Sequence, residues 1–189
     1  MSKHFRLPAR LVTKLKESGI ELPEVLRSAG LPQGLLDQPR VLLTTEELFA
    51  FWRGIGKVST DPALGLELAT EQQTDRFDPI ALAALSAATF GDAIHQIGRY
   101  KQLTCPEEIH HTREGDEWTV QFRWLLAQNH EPDILTDLCF AYVLSIARHG
   151  SGTCRGVFGG SSHSGAAGRD RTTGFTGLHL GVDDIGIRS

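Results

Sequence analysis

Residues Phe77 to Thr104 read FDPIALAALSAATFGDAIHQIGRYKQLT, and the way this stretch divides decides the fold. Asp78 carries the side chain of a helix N-cap, and Pro79 follows at the first helical position, where a missing N–H costs nothing. Ile80 to Ala88 is then apolar almost all the way round. A helix with no wet face belongs between other elements. Thr89 and Asp92 have the spacing of a weak capping box, so a second helix starts there. Phe90, Ala93, Ile94, Ile97 and Tyr100 mark one face of it, with Asp92, Gln96, Arg99 and Lys101 mostly off that face. The small residues Ala81, Ala84, Ala87, Gly91 and Gly98 allow other backbone to approach closely. The stretch predicts a buried helical hairpin, with Leu85 at the centre of the core.

Towards the N-terminus the same grammar repeats. Pro8 to Ser18 predicts a helix closed by Gly19, and Leu22 to Ala29 a shorter one closed by Gly30. Leu31 to Leu36 is a turn carrying apolar anchors. Two short helices in a row resemble half of a helix-turn-helix, but no basic second helix follows, so a plain helical module is the better reading. Thr44 and Glu47 form capping-box spacing before a stripe of Leu48, Phe51, Trp52, Ile55 and Val58. Asp61-Pro62 opens a further helix to Ala69, which frays at Glu71 to Thr74.

Towards the C-terminus the period changes from 3.6 to 2. Glu108 to Arg113 and Trp118 to Trp124 flank Glu114-Gly115-Asp116, which predicts a β-hairpin. Trp118, Val120, Phe122 and Trp124 share one face of it, packed on helices. Pro132 to His149 predicts the last clear helix, with Leu135, Leu138, Tyr142 and Ile146 inward and Arg148 and Gly150 closing it. Beyond it eleven of the 20 glycines fall in the last 40 residues. Ser151 to Gly177 is therefore expected to be Gly/Ser-rich irregular chain that contributes little stability. Leu178 to Ile187 regains alternation and predicts a short terminal strand. The organisation is one α+β domain over 1–150, with a helical N-terminal half, a β-hairpin and a small mixed sheet. The irregular segment is 151–177, and the strand of the same domain lies within 178–189.

The global numbers fit such a domain. The chain has 189 residues, 40% hydrophobic and 22% charged, enough to bury a sizeable core. A net charge of −4 lacks the basic footprint that gripping nucleic acid requires. Cys105, Cys139 and Cys154 are odd in number and far apart, which suits free thiols in a reducing compartment. The first residues interrupt every apolar run with charge, and no stretch reaches the roughly 20 apolar residues of a membrane span. The expected location is cytoplasmic.

No catalytic constellation emerges. His110 and His111 follow Glu107 and Glu108, but adjacent strand side chains point to opposite faces and cannot share a metal. No metal or cofactor is expected. Cys105 has no motif that makes it a nucleophile. The glycine run Val157 to Gly168 lacks the Lys-Ser/Thr of a phosphate loop. His95 reads more simply as a half-exposed or satisfied histidine than as a ligand. The stripe of Trp118, Phe122 and Trp124 is most simply hairpin core, and alternatively lines a pocket for an apolar ligand, with Tyr100 and His95 as further candidates.

Five short motifs in order resemble a known family: Leu7-Pro8-Ala9-Arg10-Leu11-Val12, Leu26 to Pro32, Asp61 to Leu66, Leu82 to Ala93, and Gly98-Arg99-Tyr100. Together they are similar to the N-terminal, "arabinose-binding" type effector and dimerisation domain of bacterial AraC-type transcription regulators, over about residues 5–150. His179 to Ile187 resembles the strand near the end of that domain. The resemblance implies binding of a small effector and homodimer formation, not an enzyme and not a membrane protein. Sugar binding does not follow from the historical name. It also implies a C-terminal pair of helix-turn-helix motifs as the DNA contact, and nothing in this sequence corresponds to them. Between about Thr153 and Gly177 the family has a strand and an aromatic helix where this chain has glycine, serine and arginine; a divergent loop and a local frame error both produce that pattern. The alternative to an effector domain is a structural or interaction module, a regulator remnant that binds no ligand.

Overall fold

The computed structural model describes residues 3–69, 79–115, 117–151, 169–170 and 175–181. The fraying at Glu71 to Thr74, the Asp78 cap, Cys154, the Val157 to Gly168 run and the strand beyond Gly181 lie outside the described residues. The fold divides into two compact units, Met1–Thr70 with Thr104–Pro106 and Leu126–Ala141, and Glu71–Leu103 with Glu107–Leu125 and Tyr142–Ser189.

The first unit is helical. Strand β1 (Phe5–Arg6) pairs antiparallel with β2 (Leu42–Leu43), two residues each and too short to leave a period in the sequence. Helix α1 (Ala9–Glu17) ends at Gly19 with φ 75°, and α2 (Leu22–Ala29) ends at Gly30 with φ 69°. In each case the N–H after the glycine reaches back to the helix, Ile20 to Leu15 O and Leu31 to Leu26 O, both at 2.9 Å. That pattern needs a left-handed residue, which glycine supplies without strain. Helix α3 (Thr45–Val58) begins with the expected box: Thr44 N donates to Glu47 Oε2 at 2.8 Å and Glu47 N to Thr44 Oγ1 at 3.2 Å. It buries Leu48, Phe49, Phe51, Trp52 and Ile55. Gly54 fits it against α2, because a Cβ there would lie 2.7 Å from Val25 O. Helix α4 (Leu64–Ala69) is capped by Asp61, whose Oδ1 accepts from Ala63 N at 2.8 Å. Lys14 on α1 donates to Leu68 O at 3.1 Å.

The second unit is α+β, with α5 (Pro79–Leu85), α6 (Phe90–Thr104), β3 (Glu107–Glu114), β4 (Glu117–Trp124), β5 (Arg169–Asp170) and β6 (Phe175–Gly181). The sheet order is β3-β4-β6-β5. The α+β class holds, and every described pairing is antiparallel, so the sheet is not mixed. Strand β5 and the start of β6 fall inside the stretch whose composition suggests irregular chain.

Helix α7 (Asp133–Ser151) belongs to both units. It contributes Leu135, Cys139, Phe140 and Ala141 to the first and Val143, Ile146 and Ala147 to the second. Leu138 and Tyr142, expected inward, are half-buried. A helix shared by two units is buried on more than one stripe, and period alone does not find its faces. In the first unit Gly65 of α4 packs on α7, where a Cβ would lie 2.6 Å from Ile134 O.

The predicted buried hairpin needs correction. Helix α5 stops at Leu85, and Ser86 and Ala87 bond back to Ala83 O and Ala84 O in tight turns. Ala81 and Ala84 are buried while Leu82 is 47% exposed, so the helix does have a wet face. Two turns of helix bury one side, and alanine-rich composition tolerates water on the other. Leu85 is half-buried rather than central.

Candidate functional site

The candidate site is the interface of α6 with the hairpin. A two-residue turn at Gly115, φ 60°, sets the ladder so that Trp118 lies opposite Arg113, Val120 opposite His111, Phe122 opposite Ile109 and Trp124 opposite Glu107. Directly opposed residues of an antiparallel pair share a face. These four rungs therefore form one surface, and α6 lies on it with Phe90, Ile94, Ile97, Gly98 and Lys101 inward.

At the turn end the contacts centre on Trp118. The Phe90 ring meets it edge-on, with centroids 5.4 Å apart and an interplanar angle of 81°. Gly91 lies against its outer atoms. The Arg113 guanidinium stands 5.7 Å from the ring centroid and donates from Nε to Gly115 O at 3.0 Å. The His111 ring lies 5.8 Å away. Burial pushes the His111 pKa below its usual value, and the nearby charges of His95 and His110 add to the effect.

At the other end the contacts centre on Lys101. Its Nζ donates to Glu107 Oε2 at 2.7 Å and stands 5.3 Å from the Phe122 centroid. Glu107 is 0% exposed, and the Lys101 side chain 19%. Gly98 faces Ile109, where an added Cβ would make ordinary contact at 3.7 Å.

Of the residues read from the sequence, Trp118, Phe122 and Trp124 lie on this face, the last two buried and Trp118 half-buried. His95 is exposed on α6, close enough to act on His111. Tyr100 is 47% exposed, so its placement on the inward face is corrected. At 100° per residue Lys101 falls in line with Ile94 and Ile97, and Tyr100 falls at the edge of the stripe. Lys101 and Glu107 are the residues that pattern reading misses. The signals are a lysine in register with an apolar stripe and a glutamate opposite an inward tryptophan.

Among the described residues no helix is long and apolar enough to cross a membrane. No curated protein matches the chain. A family model does, over residues 19–156, and its description is the arabinose-binding domain of AraC transcription regulator, N-term. That span is more than half of the sequence and contains all of α6 and the hairpin, and the chain belongs to this family of N-terminal AraC regulator domains.

Proposed function

We propose that this chain is the effector-binding and dimerisation domain of an AraC-type transcription regulator, and that a small effector binds at the α6–hairpin interface. The observation that supports this is the aromatic and charged composition of one packed face between a helix and a sheet, with Trp118 against Phe90 at one end and Lys101 against Glu107 and Phe122 at the other. Apolar walls with a few converging polar groups are the usual make-up of a small-molecule site. The domain senses and pairs in the cytoplasm, needs no cofactor or metal, performs no reaction, and leaves DNA contact to helix-turn-helix motifs. Thermal unfolding against a panel of sugars, carboxylates, amines and amino acids tests it. A saturable rise in midpoint with one class is expected, together with a dimer mass by light scattering. A panel with no response would remove the effector role.

A second reading, an interaction module without a ligand, is favoured by two observations. Gly91 sets α6 against the Trp118 ring, which an added Cβ would meet at 2.7 Å. The opposite side of α6 exposes Tyr100 at 47% and Leu103 at 70%, large apolar groups suited to a partner. A dimer that dissociates on Leu103→Glu, with no ligand response, would favour it.

A further inference from the structure

We propose that Glu107 and Phe122 form a binding site for a primary ammonium group, and that Lys101 occupies it as a tethered stand-in for an amine-bearing effector. This rests on the effector-binding reading above and names the chemistry of the effector.

The Lys101 ammonium stands 2.7 Å from Glu107 Oε2 and 5.3 Å from the Phe122 centroid. A carboxylate and an aromatic face converging on one cation is how proteins recognise amines, and here the chain supplies the amine itself. Glu107 is fully buried, while 19% of the Lys101 side chain is open to solvent. The pair therefore sits at the margin of the packed layer, with the lysine on the outer side.

The burial of Glu107 selects the ligand. A buried carboxylate that loses its cation is strongly destabilising. A neutral sugar or a carboxylate anion has nothing to put in the place of Lys101. A second ammonium does, because the exchange replaces the Lys101 ammonium on Glu107 Oε2 with another. The lysine stem marks the path, so the matching ligand is an unbranched aliphatic primary amine, such as a diamine or an amino acid with a side-chain amine. Exchange also removes the tie between Lys101 on α6 and Glu107 on β3. Binding is thereby coupled to the freedom of the C-terminal half of α6, which is the change a regulator needs.

The test is thermal unfolding of the full chain with 1,5-diaminopentane and lysine, against arabinose, sodium butyrate and n-butanol. The wild-type midpoint is expected to rise saturably by about 2–4 °C with an amine at concentrations well above its dissociation constant. The other compounds leave it unchanged, and Glu107→Gln abolishes the amine response. Lys101→Ala is expected to melt lower than wild type and to regain at least half of the loss with n-butylammonium but not with n-butanol. If Lys101→Ala does not fold, the wild-type and Glu107→Gln measurements decide. A wild type that ignores every amine overturns the proposal even if n-butylammonium rescues Lys101→Ala, because Lys101 is then a permanent occupant. A response to arabinose or butyrate that survives in Glu107→Gln overturns it while leaving the effector-binding reading intact. No response to any class removes both.

Discussion

Gly91 and Trp118 are in such close contact that a Cβ on the glycine would lie 2.7 Å from Cη2 of the indole. Gly54 and Gly65 are as tightly placed, at 2.7 Å from Val25 O and 2.6 Å from Ile134 O. The difference is what must give way. The indole is the far end of a half-buried side chain, whereas the other two obstacles are helix backbone.

Gly91→Ala is therefore expected to be nearly neutral, since alanine gains up to about 1 kcal/mol of helix propensity while Trp118 shifts outward. Its emission should move to the red. Gly54→Ala and Gly65→Ala should each cost about 1–3 kcal/mol, because helix axes must separate. Chemical denaturation of the three variants checks the ranking; a Gly65→Ala chain as stable as wild type would contradict the packing of α4 on α7.

His111 gives a pH dependence of defined sign. Its pKa lies below the ordinary 6.5, first because of burial and then because of His95 and His110. A base with a depressed folded pKa binds fewer protons folded than unfolded, so stability is lost as pH falls below the unfolded value. The thermal midpoint should fall between about pH 7.5 and pH 5.5, and His111→Gln should flatten that fall. An unchanged pH profile in the variant would place the effect elsewhere.

Glu46 acts in the opposite range. The Asn129 side chain, donating at 2.5 Å, is the main reason its pKa is lowered. The amide of Gln128 adds to this, burial opposes it, and the amide of Asn129 and the charge of Arg53 make smaller contributions that lower it further. The depressed carboxyl stabilises the fold above the unfolded value of 4.5 and loses that contribution as pH falls through its folded pKa. Glu46→Gln should lower stability at neutral pH and shrink the acid-induced loss below about pH 4.5. Acid titration followed by circular dichroism reads both.

Much of this architecture is legible in the sequence because local chemistry dictates it. Gly19, Gly30, Thr44 with Glu47, and Gly115 each mark a boundary through a backbone requirement that few residues meet. The hairpin face follows from alternation once the turn is placed. What pattern reading misses is where tertiary structure overrides local preference. Lys101 reads as a surface residue because lysine usually is one, and Glu107 and Phe122 across the interface account for its inward position. Helix α7 hides its role by facing two cores, and β1 and β2 are too short to show a period.

Core position separates Leu85 from Ile94. Ile94 is fully buried on α6, while Leu85 is half-buried near Gly150. Ile94→Ala should cost about 2–5 kcal/mol and Leu85→Ala clearly less. Equal costs in urea unfolding would return Leu85 to the centre of the core.

The chain by itself is expected not to bind duplex DNA specifically. A net charge of −4 gives no surplus of cations to release counterions from phosphates. The pair α1 and α2 is the nearest approach to a helix-turn-helix, yet its second helix buries Leu22, Val25 and Leu26 and carries Arg27 as its one cation beside Glu24. A reading helix needs several polar side chains free to enter the groove. Of the cations on α1, Lys14 is already engaged with Leu68 O at 3.1 Å. Weak binding at very low salt is compatible with Arg10 and Lys16 touching phosphates. The measurement is a titration into labelled DNA from upstream of the gene, at near-physiological salt with unrelated competitor DNA. A saturable shift that survives the competitor, and is lost on Arg27→Ala, would move DNA recognition into this domain and reverse the assignment of α2 as a packing helix.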